Sequence, residues 1–107
     1  MKIKHPAFAI AICLSSLSLN AMAGEYTETG YLRNVKANNT GSTCFFQIAG
    51  SPTGHNFQGG EWYCGDIAGQ NILKLAQTAQ ILQMKVKVIL EGDGAAYKPV
   101  KAVELAN

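Results

Sequence analysis

Two short aromatic runs, Cys44-Phe45-Phe46-Gln47-Ile48 and Glu61-Trp62-Tyr63-Cys64, each carry one cysteine, and no other feature of the chain limits its fold as much. Read as strands joined by a Cys44–Cys64 disulfide, they fix the middle of a small β-domain. The pairing follows from export. Lys2, Lys4 and His5 make a basic start, Ala7 to Leu14 is apolar, and Ala21-Met22-Ala23 has the Ala-x-Ala form of a cleavage site. Together they read as a secretory signal peptide over residues 1–23, cut between Ala23 and Gly24. Ser15, Ser16, Ser18 and Asn20 interrupt the apolar run well short of the roughly 20 residues that a membrane-spanning helix needs. Cys13 lies inside that run, preceded by Ile12 where a lipoprotein signal has a small residue, and leaves with the signal. In an oxidising compartment Cys44 and Cys64 are then the one intramolecular pair available. Closing a loop of about 20 residues contributes on the order of 3 kcal/mol. A redox pair would more often be spaced Cys-x-x-Cys, and a metal site would need further ligands where His55 stands alone.

Export changes the charge balance. Without Lys2 and Lys4, seven of the nine basic residues remain against seven acidic ones, so the net charge is near zero. Binding to nucleic acid through its phosphates needs clustered Lys and Arg, and none is present. Residues 24–107 suffice for a single domain, whose core is marginal without a staple or an oligomer.

Along the chain, residues 27–37 are rich in Thr, Tyr, Leu and Val and read as a long first strand. Gly30 inside it marks a bulge or bend. Asn38-Asn39-Thr40-Gly41 is a turn and also has the Asn-x-Thr glycosylation spacing, of little weight beside a signal of bacterial style. Residues 43–49 form a second strand with Cys44, Phe46 and Ile48 on one face and Phe45 and Gln47 on the other. The Gly-rich stretch 50–60, with His55 and Phe57, reads as an exposed loop open to binding, where Phe57 either meets a ligand or folds over the sheet edge. A short third strand, 61–64, places Trp62 beside the disulfide and turns Tyr63 the other way.

Asp66 is an N-cap candidate for a helix over 67–83. Its apolar face is expected to be Ile72, Leu75, Ala76, Ala79, Leu82 and Gln83, with Leu73 and Ile81 off that face. Lys74 is the one charge in this helix. A wide apolar stripe with uncharged amides elsewhere suits packing against the helix's own barrel and against neighbouring subunits, while a helix buried in a monomer is the alternative. A half-buried strand over 85–91, a Gly92-Asp93-Gly94 turn and a last strand over 97–105 complete the order. The expected fold is therefore mainly β with one helix: a five-stranded OB-fold barrel, β-β-β-α-β-β, with one disulfide.

This chain resembles the small secreted B subunits of pertussis-like and subtilase-like bacterial toxins. The resemblance runs from Thr29 to Leu105. It rests on Thr29-Gly30, Thr43-Cys44-Phe45-Phe46, Trp62-Tyr63-Cys64, the amide-rich segment 71–84, Val86-Lys87-Val88, and Tyr97-Lys98-Pro99 leading to Val103-Glu104-Leu105. It implies a pentamer, homomeric or heteromeric, that binds host-cell glycans, sialylated ones among them, and carries an enzymatic A subunit. It also implies helices lining a central pore, presenting Asn71, Lys74, Gln77, Thr78 and Ile81. Thr29 matches the position of a sugar-contacting Ser in the sialic-acid-binding members, and Glu25 lies near a second contact. Leu90 stands where those members carry an aromatic contact residue, and their second, C-terminal disulfide has no counterpart here.

From the residues themselves, carbohydrate sites favour aromatic faces with amides and hydroxyls, which makes Tyr26, Thr29, Tyr31, Asn34 and Tyr63 candidates. No cofactor or metal is expected. Catalysis is not expected either, since nucleophilic chemistry needs a Ser or Cys beside a base, and His55 is the only histidine of the exported chain. Glu25, Glu28 and Glu61 are scattered rather than paired. Two readings remain: a glycan-binding toxin B subunit, and a monomeric periplasmic or secreted barrel without a toxin role.

Overall fold

The computed structural model describes residues 24–106. The signal-peptide reading, Cys13 included, lies outside them. Five strands and a helix follow in the order β1 (Gly24–Asn38), β2 (Thr43–Ala49), β3 (Asn56–Tyr63), α1 (Ile67–Ile81), β4 (Lys85–Gly92) and β5 (Tyr97–Leu105). The strands close on themselves in the order β1-β2-β3-β5-β4, with β4 returning to β1. Every pairing is antiparallel except β3 with β5, which run parallel over three residue pairs.

β1 serves both sides of the closure. Its first half pairs with β4 and its second half with β2, and Tyr31 has partners on both sides, Lys85 and Ala49. Gly30 sits at this handover. An ideal Cβ there would stand 2.5 Å from the Ala49 carbonyl oxygen and 2.9 Å from Ile48 Cγ2, so only a residue without a side chain lets β2 come this close. The bulge itself lies further on, between Arg33 and Lys36.

The core follows the alternation of β2 and β4. Cys44, Phe46 and Ile48 from one strand and Val86, Val88 and Leu90 from the other are fully buried. Burying each large apolar side chain contributes roughly 1.5–3 kcal/mol. Leu90 therefore belongs to the core and is closed to a ligand. Cys44 and Cys64 are bonded, with Cα atoms 5.8 Å apart, across 20 residues of chain. Trp62 packs against Phe46 with ring centroids 5.3 Å apart, and its Nε1 donates to the Gly69 carbonyl at 2.9 Å. That bond satisfies the buried indole and ties β3 to the first turn of the helix.

Two expectations need correction. The stretch 50–60 is not all loop, because β3 begins at Asn56 and runs through Gly59 and Gly60. Both glycines are buried, and each admits a neighbour that a Cβ would obstruct: the Tyr97 ring at Gly59, and Val100 with Phe46 at Gly60. The glycines thus mark close packing across a strand rather than a turn. Phe57 is half-exposed within β3.

The helix faces inward along a different line from the one expected. Gly69, Leu73, Ala76 and Ala79 are its buried residues, with Ile72 and Leu75 half-buried and Leu82 and Gln83 exposed. Trp62 seats the helix on Gly69, which brings Leu73, four residues on, into the core. Asp66 is the N-cap, its carboxylate accepting from Gly69 N at 2.6 Å. At the other end Gln83 N donates to Gln80 O and Met84 N to Ala79 O, with Gln83 at φ 54°. This is a Schellman ending with Gln in the usual glycine position, and it stops the helix at Ile81.

Candidate functional site

The outward face of β1, β2, β3 and β5 gathers aromatic and amide side chains into a cleft of about 300 Å³ lined by Asn34, Lys36, Phe45, Phe46, Gln47 and Tyr97. Period-two alternation produces it. Since Cys44, Phe46 and Ile48 turn into the barrel, Phe45 and Gln47 must turn out. Phe45 meets Tyr97 edge to face, with centroids 5.8 Å apart and planes at 89°. Lys36 Nζ stands 5.6 Å from the Phe45 centroid.

Tyr97 reaches this face because β3 supplies no side chain at Gly59, its partner in the parallel β3–β5 pairing. Asn34 reaches it because of the β1 bulge. The bulge adds one residue to β1 relative to β2, and Asn34 takes φ 54°, a left-handed value that Asn tolerates better than most residues. Its Nδ2 then donates to Gln47 Oε1. The neighbouring Val35 amide, displaced from the ladder, donates to Gln80 Oε1 of the helix at 2.8 Å.

Gln47 is the hub of this network. Its Oε1 also accepts from Asn56 Nδ2 at 2.8 Å, and its Nε2 donates to Tyr97 Oη at 3.3 Å. In the next row of the face Phe45 lies directly between Lys36 on β1 and Glu61 on β3. The Phe45 ring, with Tyr97 edge-on to it and fixed amides alongside, can receive the ring face and the hydroxyl groups of a sugar.

The candidates read from sequence are only partly brought together. Asn34 lines the cleft. Tyr31 shares a second, polar cleft of about 230 Å³ with Arg33, Asn34, Pro52, Gln80 and Gln83, where Arg33 Nη1 donates to Gly54 O at 2.6 Å. Thr29 is exposed on the part of β1 that pairs with β4, opposite Lys87, and Glu25 lies nearer the chain start, opposite Glu91. Tyr63 is 60% exposed at the far end of β3. Tyr26 is half-buried, its Oη donating to Gln58 Oε1 at 3.1 Å. Burial first, and then the nearby Glu28 and Asp93 charges, raises its phenol pKa above the ordinary value.

Lys36, Phe45, Gln47 and Tyr97 were not among those candidates. The outward parity of Phe45 and Gln47 was the available signal, but their meeting with Tyr97 depends on strand closure. On the helix, Asn71, Lys74, Gln77, Thr78 and Ile81 are all exposed, as are Ile67 and Leu82. Among the described residues no group of three or more His, Cys, Asp or Glu is placed to hold a metal ion. No described helix is long and apolar enough to cross a membrane, and the disulfide fits a secreted or periplasmic location. Compared with known proteins, the chain matches no protein-family model and no curated protein sequence.

Proposed function

We propose that the exported chain is a non-catalytic barrel of the oligonucleotide/oligosaccharide-binding type that binds host-cell glycans and acts as the B subunit of a pentamer carrying an enzymatic A subunit. The observation that carries the glycan reading is the Phe45–Tyr97 wall with the Asn34–Gln47–Asn56 amides along one exposed cleft. The cleft lies on the outward face of β2 between β1 and β5, in a closure ordered 1-2-3-5-4, and barrels of this type take up oligosaccharides on the side that includes β2. Lys36 is the one basic residue lining the cleft, which therefore lacks the basic groove that single-stranded nucleic acid needs.

Assembly is supported by the helix. Ile67 is 82% exposed and Ile81 78%, on a surface otherwise made of amides, Ala68, Thr78 and Lys74. Such isoleucines are better placed in a subunit interface than in water. The A-subunit partner rests on the resemblance to toxin B subunits.

Light scattering of the mature, oxidised protein after size exclusion, followed by a glycan array, tests both parts. A mass near five subunits with array binding supports the reading. A monomer that binds glycans overturns the homopentamer and favours a monomeric periplasmic or secreted barrel. A protein that binds no glycan overturns the assigned ligand class.

A further inference from the structure

Asn34 meets Gln47 from a backbone conformation that needs support. At φ 54° it lies in the left-handed region, which a residue other than glycine keeps only where its surroundings hold it. Two hydrogen bonds grip this stretch of β1. Gln47 Oε1 of β2 accepts from the Asn34 side chain, and Gln80 Oε1 of α1 accepts from the Val35 amide at 2.8 Å. The second grip stands in for a strand. β4 accompanies β1 only as far as Tyr31, so beyond that residue β1 has no ladder partner on this side, and the Val35 amide meets the end of the helix instead.

Gln80 itself is firmly placed. Its carbonyl accepts from Gln83 N, and the carbonyl of the preceding, fully buried Ala79 accepts from Met84 N, so the helix end that carries Gln80 is closed and seated in the core. Val35 packs half-buried against that core, which fixes its side chain as well as its amide. With residue 35 held at both points, the peptide that joins it to Asn34 is held too. Gln80 lies outside the lining of the cleft. We infer that Gln80 is a positioning residue for the cleft, holding from the helix the bulge that sets Asn34 beside Gln47. What the cleft binds rests on the glycan reading above, whereas the placement of Asn34 is a property of the free protein.

The test compares the mature, oxidised wild type with two variants. Gln80→Met keeps the length and helix propensity of the side chain but removes the oxygen acceptor. Gln80→Glu restores an acceptor, and Arg33, which lines the same polar cleft as residue 80, offsets its charge. Two NMR readouts need no ligand: hydrogen exchange at the Val35 amide and the side-chain amide signals of Asn34. In Gln80→Met the Val35 amide should exchange about tenfold faster, the equivalent of one lost hydrogen bond, and the Asn34 signals should shift. Both should return toward wild type in Gln80→Glu. Asn34 signals unmoved by Gln80→Met would overturn the positioning role.

Binding supplies a second readout, taken well below the melting temperature on the glycan array with the oligosaccharide that the wild type binds most tightly. Affinity should fall several-fold in Gln80→Met and recover in Gln80→Glu. If Gln80 merely adds stability, the melt shifts while this affinity stays at the wild-type value, and the inference fails. In Asn34→Gly the bulge needs no support and Gln47 has lost that partner, so adding Gln80→Met should cost no further affinity. An equal further loss in that background would also overturn the inference. A wild type that binds no glycan overturns the glycan reading alone, because the NMR comparison still decides what Gln80 does.

Discussion

The Tyr97 ring occupies the space that a side chain at Gly59 would need, since an ideal Cβ there would stand 2.8 Å from Cδ2 and 2.9 Å from Cε2. The next residue repeats the relation on the opposite face. A Cβ at Gly60 would stand 2.6 Å from Val100 Cγ2 and 2.8 Å from Phe46 Cε1. Adjacent glycines of one strand thus separate the face of the candidate cleft from the core.

This separation predicts different outcomes for the same substitution. Gly60→Ala overpacks the buried core and should lower stability by about 1–3 kcal/mol. Gly59→Ala displaces a half-buried ring that can swing outward, so it should reduce glycan binding more than stability. Urea melts and array binding of the two variants, measured side by side, check the contrast, and equal effects on both measurements would count against it.

Reduction of the Cys44–Cys64 bond should destabilise the fold by about 3 kcal/mol, the value expected for a closed loop of this length. Urea midpoints with and without a reductant supply the measurement. Because Cys44 is fully buried and Cys64 nearly so, reduction should proceed through unfolding and be slow under native conditions.

Tyr26 contributes to a loss of stability at alkaline pH. Its pKa is raised above the unfolded value by burial and by the Glu28 and Asp93 charges, so the folded state keeps the phenol proton where the unfolded state releases it. The resulting stability is fully present below the unfolded tyrosine pKa, about 10, and is lost as pH rises through the folded value. Ionisation also ends the hydrogen bond donated to Gln58. Denaturant melts from pH 8 to 11 should show a smaller alkaline loss in Tyr26→Phe than in the wild type.

Ile81→Lys separates assembly from folding. The residue is 78% exposed, so the stability of the monomer should change by no more than about 0.5 kcal/mol, the usual range for a surface change. If helices line the centre of a ring, a lysine repeated at this site should shift the native mass toward a single subunit. An unchanged oligomer would place its interface elsewhere.

Much of the fold was legible in the sequence because it is written in local periodicity. The β2 alternation of Cys44, Phe46 and Ile48, the Asp66 cap and the Cys44–Cys64 pairing need only neighbours in the chain or a count of cysteines. Where a residue's role depends on a distant strand, the sequence misleads. Gly59 and Gly60 look like loop residues until Tyr97, Val100 and Phe46 are seen to fill the space beside them. Leu73 looks off-face until Trp62 seats the helix on Gly69.

The candidate site depended still more on tertiary structure. Asn34 could be chosen as an amide suited to sugars, but its aim at Gln47 comes from the β1 bulge, and Tyr97 lies 50 residues from Gln47 along the chain. By itself the sequence determined which side chains face outward, because alternation along a strand is local. Which of those side chains share a cleft was decided only by the closure of β3 on β5, because that pairing is non-local and the backbone can make it only where Gly59 leaves room for the Tyr97 ring.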